Sequence, residues 1–358
     1  MAGESAGAIS VLAHLRGKVP VARSALLMSP GTVWPKPFAE TQTTFDKACE
    51  ALDTAGTGSA TGEKLELLRS LPCEKLHEFG GNRLETILCE DPVFFDDWSG
   101  QRFEEISVFP RWIRRVMVGE LSEEMAVMAH YWGMLSPTDL LDTWRQLYKD
   151  PEYAGEVLGV YGVGGDEGKG AGDVDGDSRV VQGLVDYTAD ALFDKAVRSI
   201  AETHLIVKPS PGQDDNGNRD SLSQPQVYLY RFEQPDILAP SKAHRDRAYH
   251  SLDNVFLFYF PSVAGTGAPQ ELRTTADDFS GAALRLAYGD ELWEEMGIGN
   301  KKFAAFSGSG MQIREQTKAR WESLVNTADR LDQFLLCKDL LWKTAALPAI
   351  KSGDPSSS

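Results

Sequence analysis

The stretch MAGESAGAISVLAHL (residues 1–15) decides how the rest of the chain is read. Ser5 stands between Gly3 and Gly7, two residues away on each side, and Ala8, Ile9, Val11, Leu12 and Leu15 follow at helical spacing. Apolar residues three and four apart predict a helix that starts within a residue or two of the serine. A Gly-x-Ser-x-Gly run that opens a helix is the pattern of a nucleophile elbow, in which the serine occupies a strained strand-to-helix turn. The flanking glycines keep side chains out of the close approach such a turn requires. Only Met1 and Ala2 stand before Gly3, so no strand is expected to lead into the turn.

Working outward, ARSALLMSPG (22–31) reads as a buried strand, a compact apolar run closed by Ser-Pro-Gly turn chemistry. Residues 40–80 carry helical patterns broken by TAGTGSATG (54–62), and FPRWIRRVMVGELSEEM (109–125) predicts a second strand, a polar turn and a helix. Helical periodicity then continues to Asp150, with Ser136 before Pro137 as an N-cap and first-turn pair. The Gly- and Asp-rich stretch 159–179 reads as a flexible loop, 180–204 as helix, 209–223 as a polar loop and QVYLYRF (226–232) as an alternating strand. The remainder is predicted mainly helical up to a disordered Ser/Pro/Gly tail, 351–358. Together these patterns predict an α/β fold, rich in helix and poor in strands, in one domain spanning residues 1–350.

Composition narrows the function. The chain has 358 residues, 42% of them hydrophobic and 25% charged, the balance of a globular protein with a sizeable core. A formal net charge of −17 disfavours nucleic acid and anionic membranes as partners and suits a small neutral substrate. No apolar run is long enough for a membrane span, and residues 1–20 have neither the basic start nor the long apolar core of a signal peptide. Cys49, Cys73, Cys89 and Cys337 show no Cys-x-x-Cys spacing, which speaks against a zinc site and for free thiols, with a Cys73–Cys89 bridge left open. With no Asn-x-Ser/Thr acceptor either, the expected compartment is the cytoplasm.

Residues 3–15 resemble the elbow of the type B carboxylesterases, the cholinesterase and carboxylesterase group of the α/β-hydrolase fold. ARSALLMSPG is similar to that family's strand after the elbow, and QVYLYRFEQP to its later Tyr-x-Tyr-x-Phe strand, so a colinear likeness runs from residue 3 to about residue 265. A serine hydrolase needs a base to take the serine proton and an acid to orient the base, in chain order serine, acid, histidine. The family's acid ends a strand-turn pattern written Asp-Glu-Gly. VMVGELSEEM is similar and puts Glu124 on that place, with Met125 where the glycine stands and Glu123 as the rival by one residue. YHSLDNVFLF matches the family's histidine with His250; Ser251 replaces the usual glycine, and Asp253 takes the acidic place before an aromatic-rich helix.

The resemblance implies a Ser5–His250–Glu124 triad that hydrolyses a small carboxylic ester through an acyl-enzyme, with the Ala6 N–H in the oxyanion hole. It implies no metal or organic cofactor, because histidine supplies acid and base and the acyl group rests on serine. The family's Gly-rich oxyanion loop and first strands lie upstream of its elbow, so the chain is expected to be an incomplete α/β-hydrolase, its C-terminal portion starting at the elbow. The alternative is a catalytically inactive truncated fragment that serves as a binding or interaction module.

Taken singly, each residue has a plainer reading: a serine in a Gly-rich start, an acidic first helical turn at Glu123 and Glu124, a partly buried histidine at 250. Their colinear order favours the triad. Two further motifs fail. DVDGDS (173–178) has Ser178 at the sixth place of a calcium loop and Leu184 at the twelfth, and GDEGKG lacks the Ser/Thr after Lys169 that a phosphate loop needs.

Overall fold

The computed structural model describes residues 1–33, 35–52, 61–80, 88–91, 93–95, 109–110, 112–163, 174–206, 225–241, 244–297, 300–345 and 347. The chain divides into two compact units. One comprises Met1–Leu15, Pro20–Thr32 and Glu104–Ser358; the other comprises Arg16–Val19 and Val33–Phe103.

The first unit is mixed α/β, built on a six-stranded sheet whose strands lie in sequence order: β1 (Ala2–Glu4), β2 (Ser24–Met28), β3 (Arg115–Leu121), β4 (Gln226–Phe232), β5 (Lys302–Phe306) and β6 (Gln312–Glu315). All neighbours are parallel except β5 and β6, which form an antiparallel hairpin. In chain order the helices are α1 (Ala6–Arg16), α2 (Phe38–Leu52), α3 (Thr61–Ser70), α4 (Cys73–Gly80), α5 (Ala126–Trp132), α6 (Pro137–Arg145), α7 (Pro151–Val160), α8 (Val174–Ala189), α9 (Lys195–Ile206), α10 (Asp253–Leu257), α11 (Pro261–Ala264), α12 (Gln270–Tyr288), α13 (Ala328–Phe334) and α14 (Cys337–Ala345). Of these, α2–α4 belong to the second unit, where Lys64 of α3 bonds Asp46 Oδ1 of α2 and so ties the two helices, and Gln42 within α2 donates to the same oxygen. Parallel strands require crossovers, and helices supply them.

Side chains alternate across a strand, and the alternation sorts the sheet into two faces. Leu26, Met28, Met117, Leu121, Tyr228, Tyr230, Phe232, Ala304 and Phe306 pack on one face against Leu272, Ala276, Phe279, Ala282 and Leu286 of α12. Val116, Val118 and Glu120 of β3 point to the other face, where α9 meets β3 and β4. Strands covered on both faces read as near-continuous apolar runs, as SALLM and RVMV do.

Several expectations change. A strand does lead into the Ser5 turn: Ala2, Gly3 and Glu4 themselves pair with Leu26, Leu27 and Met28, since three residues suffice when each finds a parallel partner. The C-terminal third is not simply helical, because KFAAF and QIRE pair as β5 and β6 across a Ser-Gly-Ser-Gly connection. Within the predicted 180–204 helix, Asp190–Asp194 is a π-helical turn between α8 and α9. The stretch 159–179 is less of a loop than its composition implies: Gly159 and Val160 end α7, and 174–179 open α8. Residues 164–173, the polar loop 209–223 and the tail 351–358 lie outside the described residues. Ser136 caps α6 as predicted, accepting from the Asp139 N–H with Pro137 in the first turn. No disulfide joins any of the four cysteines, so the Cys73–Cys89 bridge is not formed. Among the described residues no helix is long and apolar enough to cross a membrane.

Candidate active site

The turn between β1 and α1 has the elbow conformation. Ser5 sits at φ 53°, its N–H donates to Met28 O at 2.9 Å, and its carbonyl accepts from Ile9 N at 3.1 Å. The two glycines are not equivalent. A Cβ on Gly3 would lie 2.2 Å from Gly7 O, so that position excludes side chains, whereas a Cβ on Gly7 would meet nothing within 4 Å. The sequence expectation that both positions forbid a side chain therefore holds only at Gly3. Ala6 is exposed, and as the first residue of α1 its N–H has no intrahelical acceptor, so it points out of the helix as an available donor.

Two backbone hydrogen bonds bring the acid and the histidine together across the C-terminal ends of β3 and β4. Glu123 N donates to Ala248 O at 3.0 Å and His250 N donates to Glu124 O at 3.2 Å. The side chains follow: Glu124 Oε2 lies 2.5 Å from His250 Nδ1. Its other oxygen, Oε1, accepts from Ser29 Oγ at 2.5 Å and from Leu121 N at 2.8 Å, which fixes a carboxylate that is only 1% exposed. The one-residue ambiguity resolves in the geometry, since Glu123 points away and pairs with Arg247 at 3.1 Å. Met125, which follows Glu124, stands at φ −90°, a conformation that needs no glycine.

His250 Nε2 faces the β1–α1 turn, where it meets Glu4 Oε1 at 3.2 Å. Among the described residues the Ser5 hydroxyl has no hydrogen-bond partner, so serine and histidine are neighbours through Glu4 rather than by a direct bond. Catalytic hydrogen bonds in unliganded sites are often long or unmade and tighten only with substrate bound. Glu4 Oε1 also accepts from Ser251 Oγ at 2.6 Å. Ser251 stands at φ 71°, in the left-handed region where glycine is at ease, and its hydroxyl bond offsets part of a strain of about 1–2 kcal/mol. Ser5, Ser29 and Ser251 are all left-handed non-glycines, and strain of this kind collects at functional sites.

The surrounding charge shifts the titrations. Burial lowers the His250 pKa, but the Glu124 hydrogen bond and charge, then Glu4 and Asp253, outweigh it and hold the imidazole above its ordinary value. Asp253, in the first turn of α10, is fully buried. Burial pushes it up to about 7, with the Glu124 and Glu4 charges adding. Tyr230 OH lies 3.2 Å from Asp253 Oδ2, while Oδ1 is buried without a partner among the described residues. Phe193, in the π-helical turn, packs its ring on the imidazole with centroids 4.9 Å apart.

Sequence reasoning missed Glu4, Ser29 and Phe193. The first two stand inside motifs that were quoted for other reasons, and Phe193 carries no local signal. Among the described residues no group of three or more His, Cys, Asp or Glu side chains could hold a metal. No family model matches the chain, and no curated protein matches it.

Proposed function

We propose that this chain carries the Ser-His-Glu site of a carboxylic ester hydrolase of the α/β-hydrolase type, similar to the type B carboxylesterases. The observation that carries the reading is a buried Glu124 carboxylate on His250 Nδ1, with Nε2 turned toward the strained strand-to-helix turn that bears Ser5. The parallel strands in sequence order and the chain order serine, acid, histidine support it.

In this reading the Glu124 carboxylate keeps the proton on Nδ1, leaving Nε2 as the basic nitrogen. Nε2 takes the Ser5 proton as Oγ bonds to the ester carbonyl carbon, and the carbonyl π pair moves onto oxygen. The Ala6 N–H donates to that oxyanion. Collapse re-forms the carbonyl and breaks the bond to the alcohol oxygen, which receives the proton from Nε2. Water repeats the sequence on the acyl-serine and frees the acid. Glu4 leaves Nε2 free for Ser5 once substrate fills the turn.

A non-catalytic reading, a binding module on an esterase-like frame, is favoured by one observation, the absence of a hydrogen bond from Ser5 to His250. Fluorophosphonate labelling of the purified chain, read by mass spectrometry beside Ser5→Ala, separates the two. The expected result is a single adduct on Ser5 that the variant lacks. Folded protein that takes no label overturns the esterase reading.

A further inference from the structure

The π-helical turn that carries Phe193 is held at both ends by a segment far along the chain. Asp190 opens the turn and Asp194 closes it, and each bonds a residue of the short 3-10 turn Arg320–Ser323. Arg320 Nε lies 2.8 Å from Asp190 Oδ2, and Trp321 Nε1 donates to Asp194 Oδ2 at 2.6 Å. Arg198 of α9 completes the Asp194 end: its Nε lies 2.9 and 2.8 Å from the two carboxylate oxygens, and its Nη1 donates to Thr317 O at 3.1 Å. The Asp194 and Arg198 side chains are largely covered and Trp321 is buried, so these bonds are weakly screened by solvent.

On its other side the turn is tied to the segment after β2, where the Thr32 N–H donates to Leu192 O at 2.9 Å. A π turn inside a longer helix is rare and frequently accompanies function. Here it presents the buried Phe193, whose ring is inclined 43° to the His250 imidazole with centroids 4.9 Å apart. That imidazole has to keep its plane for two purposes at once, since Nδ1 meets Glu124 while Nε2 faces the Ser5 turn. Phe193 packs on one face of this plane, and Asp194, the next residue in the chain, carries the clamp.

We propose that Trp321 is a positioning residue: with Arg198 and Arg320 it clamps the π-helical turn, and the clamp keeps Phe193 on the face of His250. The effect on rate rests on the esterase reading; the effect on the imidazole does not. Coupling of this kind travels through packed side chains and hydrogen bonds that join rigid elements. Loss of the Trp321 bond frees one Asp194 oxygen, and the shift passes over a single peptide to Phe193. Arg320 is a less selective handle, because it also bonds Asp186 Oδ2 of α8 at 2.7 Å. Trp321→Phe removes the N–H donor and keeps an aromatic ring beside Phe334.

The test is NMR of the full chain with ¹³C-labelled histidine at one pH, with thermal melting and fluorophosphonate labelling rates, on Trp321→Phe, Phe193→Leu and the double variant. His250→Asn identifies the His250 signal among the six histidines. Phe193→Leu should move that signal, because the phenyl ring current is lost. Trp321→Phe should move it the same way by less, and should move it no further where Phe193 is already leucine. The labelling rate per folded molecule should fall by up to about 100-fold in Phe193→Leu, the cost of a ~1 Å misplacement, and by less in Trp321→Phe. The double variant should label as Phe193→Leu does. A lower melting temperature with an unmoved His250 signal makes Trp321 merely structural and overturns the proposal. An equal shift with and without Phe193 routes the coupling elsewhere and overturns it too. Should Trp321→Phe fail to fold, Arg198→Gln carries the test: it must move the His250 signal only where Phe193 is present, and an unmoved signal overturns the proposal. Absent labelling in wild type with the pattern of shifts intact removes the esterase reading and leaves the positioning role standing.

Discussion

Two buried regions of the first unit use polar atoms in opposite ways. Around α6, α7, α8 and α14, aromatic residues pack ring on ring, with Trp144 stacked on Tyr187 at 5.0 Å and Tyr187 edge-on to Phe334 at 5.4 Å. Most polar tips there find a backbone or hydroxyl acceptor: Tyr187 OH donates to Phe334 O, Tyr153 OH to Arg330 O and Trp132 Nε1 to Thr344 Oγ1, while Tyr161 OH reaches the Asp190 carboxylate. Around His250, Glu4, Glu124 and Asp253 crowd one imidazole, three serines hold left-handed backbone, and one Asp253 oxygen stays unpaired. The difference lies in how charge is concentrated: one carboxylate serves Tyr161 in the first region, whereas three carboxyl groups surround His250 in the second. Hydrogen-bonded buried polar atoms belong to any well-made core, whereas perturbed charges concentrated at one point single out a candidate functional site.

Substitutions can break this contrast, and the largest expected effect falls on the charged region. Glu124→Gln presents an amide to Nδ1 and favours the wrong tautomer, so kcat for hydrolysis of an activated ester should fall about 10⁴-fold while the fold persists. Steady-state kinetics beside a circular dichroism spectrum check this, and a rate within tenfold of wild type would remove Glu124 from the triad. Trp144→Ala empties a fully buried site in the aromatic region and should cost about 3–5 kcal/mol in urea unfolding, with the rate per folded molecule unchanged. A changed rate would show that the two regions are coupled.

The smallest effect sharpens the electrostatics. His250 must be neutral to accept a proton, so the rate should rise with pH through a value above the ordinary 6.5. The sign for stability is the reverse: with the folded value raised, the ion pair contributes stability that is present below about 6.5 and lost as pH climbs through the folded value. Glu4→Gln removes one of the charges that raise it and should move the acid limb of the pH–rate profile to lower pH, a small effect because the pair is partly exposed. An unmoved limb would mean that Glu4 acts on His250 by packing rather than by charge.

Much of the frame was legible beforehand, and particular residues say why. Ala8, Val11, Leu12 and Leu15 announced α1 by spacing, and SALLM and the alternation of QVYLYRF announced β2 and β4, because these segments bury whole faces and must repeat their apolar residues accordingly. The β5–β6 hairpin was missed because KFAAF is too short to alternate and its Ser-Gly-Ser-Gly turn was passed over. The π turn was invisible because a one-residue slip leaves the apolar spacing on both sides intact. Glu123 and Glu124 could not be told apart, since adjacent residues of one type in one turn carry identical local information.

By itself, the sequence determined the α/β alternation, the helix that starts at Ser5 and the three residue types that could make a triad, because these follow from periodicity and from motif chemistry within short windows. Tertiary structure alone decided which glutamate meets His250, that Glu4 rather than Ser5 meets Nε2, and that Phe193 packs on the imidazole. Those outcomes depend on which side chains meet after burial, where a carboxyl's charge is set by neighbours far along the chain, and no local pattern encodes that meeting.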